Sequence, residues 1–72
     1  MIEVYTKPSC TYCIQAKLLL DSKKIPFTEV RIGTDVTRDE FMDKFPDART
    51  VPQITIDGKN IGGYTELAKY LA

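Results

Sequence analysis

A run of helix-forming residues at about 11–24 stands between two strand-like segments near the start of this 72-residue chain. Before it, Ile2, Val4 and Thr6 alternate with Glu3 and Tyr5, the period of two that marks a strand. After it, residues 27–32 (Phe-Thr-Glu-Val-Arg-Ile) read as a second strand, with Pro26 expected to end the helix. A strand, a helix and a strand in succession make a parallel pair with a right-handed crossover. The apolar residues of the helix, among them Leu18, Leu19 and Leu20, spread widely around its axis. It is therefore expected to be covered on more than one side. A chain this short has room for one domain and sits near the lower limit for folding unaided, so residues 1–72 are expected to form a single domain.

The second half adds a helix, a hairpin and a helix. Thr37 and Glu40 have capping-box spacing, with Val36 and Phe41 placed as a hydrophobic staple. Phe41, Met42 and Phe45 are expected to form the apolar face that follows, and Pro46 to stop it. Residues 53–56 read as a third strand with Ile54 and Ile56 on one face. Asp57-Gly58 is a hairpin turn signal, so Asn60 and Ile61 should return antiparallel. Tyr64, Leu67, Ala68 and Leu71 have the spacing of a final short helix. The order β-α-β-α-β-β-α implies an α/β fold, with a four-stranded mixed sheet flanked by three helices. No internal repeat, linker or low-complexity segment interrupts it.

Charge excludes some partners. Lys and Arg number 10, as do Asp and Glu, so there is no basic field to attract nucleic acid or an anionic membrane. No apolar run is long enough to span a bilayer. The opening Met1-Ile2-Glu3-Val4-Tyr5 lacks the basic and apolar regions of a signal peptide, so a cytoplasmic location is expected. The chain has no histidine, which removes His-based acid–base catalysis and His metal ligation.

The only two cysteines, Cys10 and Cys13, follow the first strand and open the first helix. The first turn of a helix leaves N–H groups without intrahelical partners, and the helix dipole favours negative charge there. A thiolate at Cys10 should be stabilised, with Lys7 adding positive potential. Cys13, three residues on, is a neighbour on the helix surface, within a small adjustment of disulfide geometry. An ordinary cysteine is only about 3% thiolate near pH 7, and a pKa ~3 units lower raises that fraction roughly thirtyfold. The same change lowers intrinsic nucleophilicity by a similar factor, so attack gains little and leaving-group ability gains much. Such a thiol suits a disulfide shuttle.

Three plainer readings compete. A structural disulfide would close a very short loop and contribute little stability. A zinc site wants four ligands, and the chain offers two of the usual kind. The pair could also be two ordinary helix cysteines. C-x-x-C at a strand-to-helix junction favours redox chemistry over all three.

Three segments resemble the glutaredoxin family. They are Thr6-Lys7-Pro8-Ser9-Cys10-Thr11-Tyr12-Cys13, then Thr50-Val51-Pro52-Gln53-Ile54, then Asp57-Gly58 with Ile61-Gly62-Gly63-Tyr64-Thr65-Glu66-Leu67. The resemblance covers nearly the whole chain, in the family's order and spacing. It implies a thioredoxin-like fold and a glutathione site. Cys10 would meet the sulfur of glutathione. Thr50, Val51 and Pro52 would present backbone to the peptide, with Val51 pairing like an added strand and Pro52 in cis. Tyr12 would wall the groove. Gly63, beside Gly62, would let backbone approach the ligand, and Tyr64 belongs to the same segment. Thr65 and Glu66 would hold the γ-glutamyl end. Lys7 would face a carboxylate, as would Arg49.

The implied activity is glutathione-dependent reduction of protein disulfides and glutathione mixed disulfides. Cys10 would be the nucleophile, Cys13 the resolving thiol, glutathione the reductant, and the chain a monomer. Thr11 stands where the family's commonest dithiol motif has proline, and Glu66 where many members have Asp. Some relatives with a small hydroxyl residue at the Thr11 position bind an iron–sulfur cluster between two subunits. A [2Fe-2S] cluster, ligated by Cys10 and glutathione in a dimer, is therefore one alternative, although no metal is obligatory. A redoxin serving ribonucleotide reductase and recharged by thioredoxin reductase is another.

Overall fold

The computed structural model describes residues 1–72. The elements are β1 Ile2–Thr6, α1 Thr11–Ser22, β2 Thr28–Arg31, α2 Arg38–Lys44, β3 Gln53–Ile56, β4 Lys59–Gly62 and α3 Tyr64–Leu71. They form one four-stranded sheet in the order β2-β1-β3-β4. β1 runs parallel to β2 and antiparallel to β3, and β3 antiparallel to β4. No helix is long and apolar enough to cross a membrane.

The central strands β1 and β3 have both faces covered. Successive strand residues point to opposite faces, so Val4 and Tyr5 enter different cores. Val4 and Ile54 pack with Ala16 and Leu20 of α1 and Leu67 of α3. Tyr5 packs with Phe41 of α2 and with Phe45 on the other face. Its ring lies 4.9 Å, edge-on, from Phe45 and 6.0 Å from Phe41. The alternation Ile2-Val4-Thr6 thus marks a strand correctly, but Tyr5 is core rather than surface.

Helix α1 corrects two expectations. Its buried residues are Cys13, Ala16 and Leu20, a single stripe, and Leu18 is 61% exposed. The helix is therefore covered on one side, because only α3 and the sheet pack against it. It also ends before Pro26. Lys24 adopts a left-handed φ of 58°, its N–H bonds to Asp21 O at 3.0 Å, and the Ile25 N–H bonds to Leu20 O at 3.0 Å. These two bonds form a Schellman motif, with lysine where glycine is usual. The carbonyls of the last turn are satisfied there, and Pro26 follows a helix already closed.

In α2 the capping box forms as read. Thr37 Oγ1 accepts from Glu40 N–H at 3.0 Å, and the Glu40 carboxylate accepts from Thr37 N–H at 2.8 Å. Val36 packs on the same cluster as Phe41. Met42 is exposed, so the expected apolar face narrows to Phe41 and the capping residue Phe45. Asp57 and Gly58 both have positive φ, 52° and 84°, as a two-residue hairpin turn requires.

Candidate active site

β1 delivers the chain to Lys7-Pro8-Ser9, a turn in which Ser9 takes a left-handed φ of 59°. Cys10 follows as the N-cap of α1, with extended φ and ψ of −103° and 107°. Its sulfur does what a serine or aspartate oxygen does at other caps. Cys10 Sγ accepts from Cys13 N–H at 3.1 Å. The first bond of the helical ladder, Ile14 N–H to Cys10 O at 3.2 Å, lies one residue further on. Cys10 and Cys13 are joined in a disulfide, with Cα atoms 5.2 Å apart. Cys10 is half-buried and Cys13 only 2% exposed. An incoming disulfide can therefore meet Cys10, and Cys13 reacts only from within.

Beside Cys10 runs a groove of about 280 Å³. It brings together Tyr12, Thr50, Val51, Pro52, Gly63, Tyr64, Thr65 and Glu66, every residue of the implied glutathione set except Lys7. Tyr12 and Tyr64 stack as one wall, ring centres 5.9 Å apart and 30° between planes. The Val51–Pro52 bond is cis. Val51 O lies 3.6 Å from Cys10 Sγ. The Val51 N–H and C=O take part in no backbone hydrogen bond. Backbone in folded chains is almost always paired, so this residue presents a free donor and acceptor beside the reactive sulfur.

Lys7 lies outside the groove. It lines a neighbouring cavity with Arg38, Arg49, Thr50 and Val51, which shares Thr50 and Val51 with the groove. Arg38 was not among the residues singled out in the sequence; its spacing marks it only as the first residue of a capped helix. Gln53 was also missed. It is buried, donates from Nε2 to Thr50 O at 2.8 Å, and accepts from Asn60 Nδ2 at 3.2 Å. It braces the segment leading to Val51. A glutamine among the apolar residues of a central strand is the one signal for it.

The two glycines have reasons internal to the chain. Gly62 has φ of 111°, and a Cβ there would lie 2.7 Å from Glu66 Cγ. A Cβ on Gly63 would lie 3.3 Å from Pro52 O. Gly63 N–H donates to the Glu66 carboxylate at 2.8 Å. That backbone bond holds the Glu66 carboxyl below its ordinary pKa, so it is ionised at the rim of the groove. No cluster of three or more His, Cys, Asp or Glu side chains is arranged to hold a metal ion.

A sheet of this order with a cysteine pair capping its first helix defines a thioredoxin-like thiol–disulfide oxidoreductase. Comparison with known proteins narrows the class. The sequence model of the glutaredoxin family matches residues 2–61. Glutaredoxin 3 of Escherichia coli is 46% identical over 66 residues, spanning 92% of this chain and 80% of that protein. Glutaredoxin 1 from Francisella tularensis, solved in complex with cacodylate, superposes with a TM-score of 0.83 at 35% identity, over 97% of this chain and 90% of that one. A buckwheat glutaredoxin–glutathione complex superposes with a TM-score of 0.79 at 25% identity, over 97% of this chain and 66% of that one. The chain belongs to the glutaredoxin family, whose members are glutathione-dependent thiol–disulfide oxidoreductases, and it carries their cysteine pair as Cys10 and Cys13.

Proposed function

We propose that Cys10 is the nucleophile and that glutathione lies in the groove from Tyr12 to Glu66. The observation that carries this reading is Val51: its N–H and C=O are unpaired, and its carbonyl oxygen is 3.6 Å from Cys10 Sγ. An extended peptide can pair with it as an added strand, which sets its cysteine against Cys10. The ionised Glu66 suits the ammonium of the γ-glutamyl end, with Thr65 beside it. Lys7 and Arg49 suit the carboxylates. Tyr12 and Tyr64 wall the peptide.

The chemistry is disulfide exchange. The Cys10 thiolate attacks the glutathione sulfur of a mixed disulfide, the Cys10–glutathione disulfide forms, and the substrate thiolate leaves. A second glutathione thiolate then attacks that bond, releasing oxidised glutathione and restoring Cys10. With a protein disulfide, Cys10 forms the mixed disulfide with the substrate. Cys13 gives up its proton and resolves it, leaving the Cys10–Cys13 bond for two glutathiones to reduce.

Protein disulfides are the proposed wider substrates, that of ribonucleotide reductase among them. The chain is proposed to act as a monomer and a single domain, since one chain supplies every residue of the groove. The proposed compartment is the cytoplasm, where glutathione is kept reduced. The ribonucleotide reductase and iron–sulfur alternatives rest on sequence alone. The test is reduction of a small glutathione mixed disulfide by glutathione, glutathione reductase and NADPH. Cys10→Ser should lose all activity and Cys13→Ser should retain it. Activity retained by Cys10→Ser refutes the assignment.

A further inference from the structure

A second cavity opens beside the cysteines and shares no residue with the groove. It has a volume of about 350 Å³ and is lined by Cys10, Cys13, Lys7, Ile14, Lys17, Glu29, Arg31 and Thr34, among others. Sheet order separates the two. The groove draws on the loop into β3 and on the start of α3, whereas this cavity lies toward β2, across β1. Glutathione in the groove therefore leaves this side of Cys10 open to the rest of a substrate.

Its charge is unbalanced. Lys17 Nζ lies 2.9 Å from Glu29 Oε2, and Arg31 lies 3.5 Å from Glu29 Oε1. Glu29 also accepts from the buried Thr6 hydroxyl at 2.8 Å. Burial pushes the Glu29 carboxyl up, but the hydrogen bonds from Lys17 and Thr6 outweigh it and keep the group ionised. With Lys7 given to a glutathione carboxylate, Lys17 and Arg31 face the Glu29 carboxylate, an excess of one positive charge. Asp35, next to Thr34, keeps its charge but is not among the lining residues; its carboxylate accepts from the Arg31 N–H at 2.9 Å. The chain as a whole is neutral, with 10 charges of each sign, so this local excess is what a charged partner meets near the disulfide. The exposed Ile14 adds an apolar wall suited to a polypeptide rather than to a small ion.

We propose that this cavity receives the polypeptide half of a glutathionylated or disulfide-bonded protein, and that it selects substrates with Asp or Glu next to the reacting cysteine. The proposal rests on glutathione occupying the groove. In the exchange step Cys10 takes the glutathione, and the peptide cysteine leaves as its thiolate on the cationic side. Charges at the rim of a contact act through encounter and specificity, over about a Debye length.

The experiment uses matched glutathionylated peptides that carry either Asp or Lys beside the cysteine, alongside a small glutathione mixed disulfide. Wild type is compared with Arg31→Glu and with Thr34→Glu, which adds a negative charge on an exposed turn without touching Glu29. Wild type should prefer the acidic peptide by about threefold to tenfold in kcat/KM at low salt. That preference should fade at about 1 M salt, where the Debye length is ~3 Å. Both variants should lose or reverse it while reducing the small disulfide at the wild-type rate, which also shows that they are folded. No preference in wild type, or one that survives both variants, overturns the proposal. So does an unchanged peptide preference with a raised requirement for glutathione, which would assign the cavity to the reducing glutathione. Wild type failing on the small disulfide would instead overturn the reading of the groove.

Discussion

Replacing Cys13 by proline, with Cys13→Ala as its reference, isolates one backbone N–H at the site. Both variants lack the resolving thiol, and they differ in the donor that reaches Cys10 Sγ at 3.1 Å. That N–H belongs to the first helical turn and has no carbonyl partner in the ladder, so proline removes no intrahelical bond. A hydrogen bond to a charged group is worth about 1.5–3 kcal/mol. One pH unit corresponds to about 1.4 kcal/mol. Removing the bond should therefore make the Cys10 thiolate harder to form by about one to two pH units. The helix dipole and Lys7 act in both variants and cancel in the comparison.

The assay is the rate of alkylation of reduced protein by iodoacetamide as a function of pH. In Cys13→Pro its midpoint should lie about one to two pH units above that of Cys13→Ala. Far-ultraviolet circular dichroism and the thermal transition establish that the helix start survives in each. Equal midpoints in two folded variants would refute the argument that the cap bond stabilises the thiolate, and would leave the dipole and Lys7 to account for it.

Three further outcomes are expected. Lys24→Gly relieves the left-handed residue of the Schellman motif and should raise stability by about 0.5–1 kcal/mol in urea denaturation, part of the gain being offset by the freer unfolded chain. Phe41→Ala removes a ring packed on Tyr5 and Phe45 and should cost about 3–4 kcal/mol, seen as a large fall in the thermal midpoint. Hydrogen bonds from Thr37 hold the Glu40 carboxyl below its ordinary value of 4.5, so its stabilising contribution is complete above that pH and is lost as pH falls through the lower folded value. Glu40→Gln, which removes the titrating carboxyl, should therefore flatten the acid limb of a stability–pH curve, and an unchanged limb would show that the capping box does not govern it.

Local chemistry made much of this structure legible. The capping box at Thr37, the turn at Asp57-Gly58 and the placement of Cys10 at a helix start each depend on residues within one turn of each other, and each formed as read. Most of the misreadings involve partners distant in sequence. Leu18 and Met42 are apolar yet exposed, because no element packs against those faces of α1 and α2. Tyr5 is core because α2 covers the second face of β1, which the pattern of β1 alone cannot register. Lys24 closes its helix in a conformation that lysine seldom adopts, so composition pointed to Pro26 instead. Gln53 and Arg38 joined the site by tertiary placement and carried no motif of their own.

Register explains how recognition and chemistry come to share one place. β1 pairs with β3 so that Tyr5 lies opposite Gln53, the last matched pair at that end. From there β1 continues through its turn to Cys10, while the chain entering β3 comes from Val51. The two meet with Val51 O at 3.6 Å from Cys10 Sγ. A slip of one residue would move Ile54 to the opposite face of the sheet, away from Val4 and Leu67, and put Gln53 in its place. It would also carry Val51 away from the sulfur. The apolar burial of Ile54 against Val4 and Leu67 therefore enforces the separation between the nucleophile and the unpaired backbone of Val51. Stability and site geometry are linked through that one register. A core substitution that loosens β3, such as Ile54→Ala, should weaken glutathione capture while leaving the Cys10 cap, which depends on residues 10–13 alone, intact.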